Sequence, residues 1–295
     1  MKRFDAHLHI NEFNASPKEL IANLESCGIY GSNVFSIPPK GCKIMSCSGD
    51  YEERITDLLK FTKEYPQRFF PFLWVHPDEP DILNKIDDAV SRGVMGFKMI
   101  CSNYFVYEDK VLKLLDKIAQ SGKPVLFHTG ILFDGEVSSN YNKPINWECC
   151  LEIPNLRFAL AHCSWPWYDE CIALYGKFLS SYTKRPDITA EMFLDITPGT
   201  PIPYRKDLLT KLHTIGYDIK HNILFGTDGR AKNYNCDFAK EWIARDDEIY
   251  KELGLDADTL ECIYGDNLMR FLGLPHKTFK RKITMVDGTV KEVEL

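Results

Sequence analysis

The stretch Arg3-Phe4-Asp5-Ala6-His7-Leu8-His9-Ile10, the punctuation Ser16-Pro17-Lys18-Glu19 and Cys27-Gly28, and the run from Gly31 to Ile37 together decide the fold. Asp5, His7 and His9 alternate with Phe4, Ala6 and Leu8, the period of two that marks a β-strand and sends the three polar groups to one face. Ser16 reads as an N-cap, Pro17 as the first helical residue, Glu19 as the capping-box partner and Gly28 as the stop. The segment therefore reads as strand, helix, strand, the unit of a parallel sheet.

The same alternation continues outward. Further strands are expected at 69–76, 94–100, 124–129, 157–162, 189–197 and 222–227, which makes eight with 3–10 and 31–37. Helices are expected between them over 50–65, 81–92 and 108–121, each stopped by Pro66, Gly93 or Gly122. Eight strands over roughly 225 residues predict an α/β protein built as a (β/α)8 TIM barrel over residues 1–274. No Gly-x-Gly-x-x-Gly or Gly-x-x-x-x-Gly-Lys follows the early strands, so no phosphate cradle is expected. Helical stretches at 237–253 and 256–272 come after the last strand. The tail, residues 275–295, alternates around Asp287-Gly288 and predicts a C-terminal β-hairpin, which either adds a strand to a neighbouring chain or folds back on its own barrel.

Composition excludes several classes of function. The 36 Lys and Arg against 42 Asp and Glu give a net charge of -6, which argues against a nucleic-acid groove or an anionic membrane as partner. At 44% hydrophobic and 26% charged residues the chain can bury a large core. No apolar run approaches the ~18 residues that span a bilayer, and no signal-type segment precedes the first strand, so a cytoplasmic protein is expected. The ten cysteines include no Cys-x-x-Cys and read as free thiols. The expected partner is a small-molecule substrate, with a homo-oligomer compatible.

A barrel of this type builds its site where strands end at the C-terminal face. His7 and His9 lie on strand one, His76 closes strand three, His128 strand five, His162 strand six and Asp228 strand eight. These six groups converge on one mouth. Neutral imidazoles with a carboxylate suit one divalent cation, Zn first and Mn, Fe or Co as alternatives. His213 sits on an outer helix, His221 at the opposite end and His276 in the tail, so none of the three is assigned to the site.

Phe4-Asp5-Ala6-His7-Leu8-His9, followed by strand-end His128, His162 and Asp228, resembles the amidohydrolase superfamily, in the branch that includes aminocarboxymuconate-semialdehyde and resorcylate decarboxylases. Val94-Met95-Gly96-Phe97-Lys98, Ala161-His162-Cys163-Ser164-Trp165-Pro166-Trp167, Leu224-Phe225-Gly226-Thr227-Asp228 and Gly265-Asp266-Asn267-Leu268 are also similar to that branch. The resemblance implies His7, His9 and His128 as metal ligands and Asp228 as a ligand that also handles a proton. It implies His162 as an acid, base or electrophile beside the metal. Lys98 is either a carboxylated bridge to a second metal, a cation that binds a substrate carboxylate, or part of a structural ion pair. His76 and Arg230 are candidates for substrate binding. The reaction expected is hydrolysis of an amide or lactone, with non-oxidative decarboxylation on the same ligands, or metal-linked binding without catalysis, as alternatives. Loops at 38–49, 130–146 with Phe133 and Tyr141 and the adjoining Trp147, and 198–204 are expected to roof the site.

Overall fold

The computed structural model describes residues 2–42, 44–185 and 187–295; Lys43, in the loop expected to roof the site, lies outside them. The strand sites are β1 (Arg3–His9), β2 (Ile29–Phe35), β3 (Phe69–Trp74), β4 (Gly96–Met99), β5 (Val125–Phe127), β6 (Arg157–Leu160), β7 (Glu191–Asp195) and β8 (Ile223–Leu224). Each pairs in parallel with the next in sequence. A two-residue strand, β9 (Gly229–Arg230), pairs with β1, setting Leu8 opposite Gly229 and His9 opposite Arg230. The Ala6 N–H donates to the Phe225 carbonyl at 2.8 Å, so the last strand meets the first and the barrel closes.

That seam is held by a side chain as well as by backbone. Buried Asp5 accepts from the Thr227 N–H at 3.0 Å and the Thr227 hydroxyl at 2.5 Å. Two hydrogen bonds thus stand where the β8–β9 line is interrupted. Asp5 is therefore a closure residue, although it shares the polar face of β1.

The helices are α1 (Pro17–Ser26), α2 (Tyr51–Thr62), α3 (Ile82–Ser91), α4 (Asp109–Gln120), α5 (Tyr168–Lys184), α6 (Ile202–Thr214), α7 (Cys236–Glu252), α8 (Ala257–Glu261) and α9 (Asn267–Leu272). Ser16 caps α1 as its sequence predicts, and Asp50 with Glu53 forms a reciprocal capping box on α2. Phe35, Phe72, Leu126, Phe193 and Leu224 fill the barrel interior, and Phe271 from α9 stacks on Phe72 and meets Phe193 edge-on below. Two residues beyond Leu126 and Phe193 on the same inward stripe stand His128 and Asp195. The interior thus turns from apolar to polar toward the C-terminal face.

Three expectations need correction. The connection after β5 forms 3-10 turns at Ser139–Asn142 and Pro144–Glu152, and Trp147 is not a roof residue. It is fully buried, its ring 5.3 Å from that of Phe127, because this stretch packs on the sheet where a helix would otherwise lie. The helix expected over 256–272 runs through from Ala257 to Leu272 but widens to a π turn at Cys262–Asp266, where Gly265 runs close to the Lys2 carbonyl. The roof after β7 is shorter than expected, since α6 already begins at Ile202.

The tail forms the antiparallel hairpin β10 (Lys280–Thr284) and β11 (Val290–Glu294) and folds back on its own barrel. The Val286 N–H donates to the Thr183 carbonyl of α5, and Arg281 pairs with Asp218 at 2.7 Å. Among the described residues no helix is long and apolar enough to cross a membrane, and all ten cysteines are free.

Candidate metal centre

His7 and His9 leave β1 side by side, their ring centroids 5.2 Å apart. His7 Nδ1 donates to Asp195 Oδ2 at 2.7 Å, which leaves the lone pair on Nε2 facing the barrel mouth. Asp228 Oδ1 lies 3.3 Å from His7 Nε2 and 3.5 Å from His9 Nε2. One ligand atom from each of His7, His9 and Asp228 lies within 4.8 Å of the others, a group that could hold a metal ion. Asp228 takes a left-handed backbone conformation at φ 55°, an unusual one for a non-glycine residue. Its position after the interrupted strand aims the carboxylate back across β1.

Lys98, fully buried on β4, places Nζ 3.5 Å from His7 Nε2 and 5.0 Å from the Phe35 ring centroid. Burial pushes its ammonium down to about 8, against the pull of Asp195 and Asp228. Burial first, and Lys98 second, hold His7 well below the usual imidazole range. Burial lowers His9 in the same sense. Neutral imidazoles are the state that donates a lone pair to a cation. Burial works to raise Asp228, but the facing imidazoles of His7 and His9 outweigh it and keep the carboxyl well below the usual carboxylate range.

His162 stands between the rings of His7 and His128, at 5.3 and 5.1 Å. Its backbone is left-handed at φ 59°, as are Cys163 and Ser164 after it, so three consecutive non-glycine residues carry strain at the end of β6. Thr197 Oγ1 lies 3.2 Å from His162 Nδ1, and Gly199 passes so close behind that a Cβ there would sit 2.6 Å from the His162 Cβ. His128 lines the same cavity but stays outside the close group of three. Its Nε2 donates to the Ile131 carbonyl at 3.3 Å.

The sequence profile of the amidohydrolase family matches residues 45–274. The chain belongs to that family. No curated protein matches it by sequence. In fold, this family member is similar to the probable 2-pyrone-4,6-dicarboxylic acid hydrolase of Acinetobacter baumannii, solved with citric acid bound, at 14% identity and a TM-score of 0.61, covering 93% of this chain and 100% of that one. It is likewise similar to the dihydroorotase of Campylobacter jejuni, at 15% identity and a TM-score of 0.57, covering 98% and 92%. The amidohydrolase 2 of Bifidobacterium longum subsp. infantis aligns at 14% identity and a TM-score of 0.55, covering 93% and 100%.

The cavity at the metal candidates measures about 290 Å³, roofed by Ile44 and Met45 from the loop after β2 and by Leu132 and Phe133 from the loop after β5. Arg230 is exposed on its wall, directly opposite His9 in the ladder, and carries no side-chain ion pair among the described residues. His76 does not reach this cavity. It belongs to an adjoining cleft of about 930 Å³, where its Nε2 lies 3.2 Å from Asn103 Oδ1 and its Nδ1 accepts from the Asp78 N–H. The two spaces share the walls Ile44, Trp74 and Ile100.

Sequence reasoning missed Asp195 and Thr197. The signal was present in Glu191-Met192-Phe193-Leu194-Asp195-Ile196-Thr197, an apolar strand that ends in two polar residues of one parity, as β5 and β6 end in histidine.

Proposed function

We propose that this chain is a metal-dependent hydrolase that cleaves an amide or lactone bond in a small, carboxylated substrate, in the cytoplasm. The observation that carries the reading is the placement of Asp228 Oδ1 at 3.3 and 3.5 Å from two imidazole nitrogens that burial keeps neutral.

The donor set fits one divalent ion. Two nitrogen lone pairs and an ionised carboxylate oxygen face one another, and Asp195 fixes the His7 tautomer from behind. His7, His9 and Asp228 would hold the ion, with His128 as a further ligand from the same cavity. Zn suits these donors first, with Mn, Fe or Co as alternatives; a second ion requires carboxylation of Lys98. Such an ion supplies Lewis acidity, acidifying water and polarising a carbonyl oxygen in its shell.

The chain's own residues do the rest. Asp228 keeps 39% of its side chain exposed to the mouth, so its carboxylate can accept a proton from the attacking water and pass it to the departing nitrogen or oxygen. His162, positioned by Thr197 and Gly199, donates a hydrogen bond to the oxygen that becomes negative. Arg230 on the rim, and Lys98 where it remains an ammonium, are placed to hold a substrate carboxylate.

Metal analysis together with turnover on a panel of lactones, amides and aromatic acids tests the reading. Bound metal with hydrolysis that prolonged chelation abolishes is the expected result. Hydrolysis that survives chelation in metal-free protein overturns the metal assignment. Carbon dioxide release from the aromatic acids without hydrolysis replaces the hydrolase by a decarboxylase on the same residues.

A further inference from the structure

Two of the ten free cysteines, 209 positions apart in the chain, meet beside the seam of the barrel. Cys27 is the C-cap of α1, and Cys236 is the first residue of α7. The helix α1 follows β1 and α7 follows β9, and those two strands pair with each other. The contact between the two cysteines therefore joins the beginning of the barrel to its end.

Both thiols turn to one acceptor. Cys27 Sγ donates to the Asn23 carbonyl at 3.2 Å, and Cys236 Sγ donates to the same carbonyl at 3.6 Å. Cys27 Sγ also lies 3.6 Å from the Cys236 carbonyl. No other two cysteines share an acceptor among the described residues. Each of the two stands at a helix terminus, where the backbone is freer to adjust than inside a helix. Their access to solvent differs. Cys27 is only 7% exposed, whereas Cys236 is half-buried between exposed Asn235 and Asp237. Burial first, and the neighbouring Cys236 thiol after it, push the Cys27 thiol up to about 11. Cys236 thus meets a reagent from solvent, and Cys27 is presented to Cys236.

We propose that Cys27 and Cys236 form a site of oxidative modification, which a small disulfide oxidant such as glutathione disulfide closes into an intramolecular disulfide. Cys236 Sγ, as its thiolate, attacks one sulfur of the oxidant, whose S–S bond breaks and releases one glutathione thiolate. Cys27 then gives its proton to solvent, attacks Cys236 Sγ and expels the second glutathione. Two protein thiols are oxidised, and one glutathione disulfide is reduced to two thiols. In a reducing compartment the pair stays open and closes only on oxidation. The new bond ties α1 to α7 across the seam, and a link that closes so long a loop restricts the unfolded chain. The inference is independent of the hydrolase reading, since neither cysteine lines the metal cavity.

The reduced full chain, incubated with glutathione disulfide and then alkylated, is read by peptide mass mapping without reduction and by thermal unfolding. A Cys27–Cys236 cross-link is expected, with no glutathione retained on Cys236. The unfolding midpoint is expected to rise by about 5 °C or more and to return with dithiothreitol. Cys27→Ser is expected to keep glutathione on Cys236 and to show no such rise. Mapping of the unsubstituted chain decides the matter even if that variant proves unstable. Cys236 left unmodified, or holding glutathione stably, overturns the proposal. So does a Cys27–Cys236 link no commoner than links to the other partly exposed cysteines, Cys42, Cys47 and Cys149. A cross-link that leaves the midpoint unchanged overturns the tie across the seam.

Discussion

Asp195 Oδ2 accepts the Nδ1 proton of His7 at 2.7 Å, in a pair with almost no solvent exposure on either side. The carboxylate therefore decides which imidazole nitrogen is bare, and that nitrogen is the one facing Asp228. The Thr197 N–H donates to Asp195 Oδ1 at 2.7 Å, so the orienting group is itself oriented. Asp195→Asn is expected to weaken metal affinity by about 10–100-fold, read by competition with a chromophoric chelator. Unchanged affinity would show that His7 is held by packing alone.

His9 and His162 separate ligation from chemistry. His9→Ala removes one of the three close donors and is expected to lower bound metal per chain. His162→Ala is expected to keep most of the metal and to slow turnover by about 10²–10³-fold, the scale of one lost oxyanion donor. Elemental analysis beside initial rates reads both. Equal metal loss in the two variants would make His162 a ligand and favour a two-ion site through Lys98.

Much of this arrangement was legible because a parallel barrel writes its site at strand ends. The period of two along β1 and an apolar run ending in histidine at β5 and β6 give each residue its address without any long-range information. What stayed hidden depended on contacts across the chain. Asp195 acquires its meaning only from His7, 188 residues away, and Asp5 closes the seam because Thr227, 222 residues away, supplies two of its three donors from the segment between β8 and β9, the third being the His7 N–H. His76 ends its strand as His128 does, yet it lines the neighbouring cleft, where the Asp78 N–H and Asn103 engage its ring. Trp147 looked like a roof residue because aromatic content does not reveal which side of a loop packs inward.

Gly226 tests how tightly the seam and the site share space. A Cβ there would lie 2.4 Å from Thr197 Cγ2, 2.9 Å from Asp5 Oδ1 and 3.1 Å from His7 Cβ. Gly226→Ala is expected to cost about 1–3 kcal/mol of stability in urea unfolding, as overpacking of a closed interior does. It is also expected to lower metal affinity, since His7 must yield. A variant of wild-type stability and metal content would mean that the seam opens to accommodate the methyl without moving β1.

Arg230 offers a guanidinium at the rim of the cavity that has no ion-pair partner among the described residues. For a carboxylated substrate, Arg230→Gln is expected to raise KM by about tenfold with kcat changed less than twofold, as the loss of one exposed charge-assisted contact would do. The corresponding neutral amide or ester of the substrate should show no such rise. A fall in kcat with KM unchanged would place Arg230 in the reaction itself.

His213 gives a pH dependence that is separate from the site. Its ring packs edge-on against Tyr250 at 5.6 Å, its Nε2 is buried without a hydrogen-bond partner among the described residues, and burial pushes it down to about 4 from 6.5. Between those two values the unfolded chain takes up a proton that the folded chain refuses, so stability falls as pH drops from 6.5 toward 4 and is level outside that window. Allowing for the ring's partial solvent contact, the loss at pH 5 is expected to be about 1–2 kcal/mol. His213→Phe keeps the packing on Tyr250 but cannot be protonated. Its urea unfolding free energy should therefore drop less between pH 7.5 and pH 5 than that of the wild type, by that amount. Identical drops in the two proteins would show that the imidazole reaches water in the folded state.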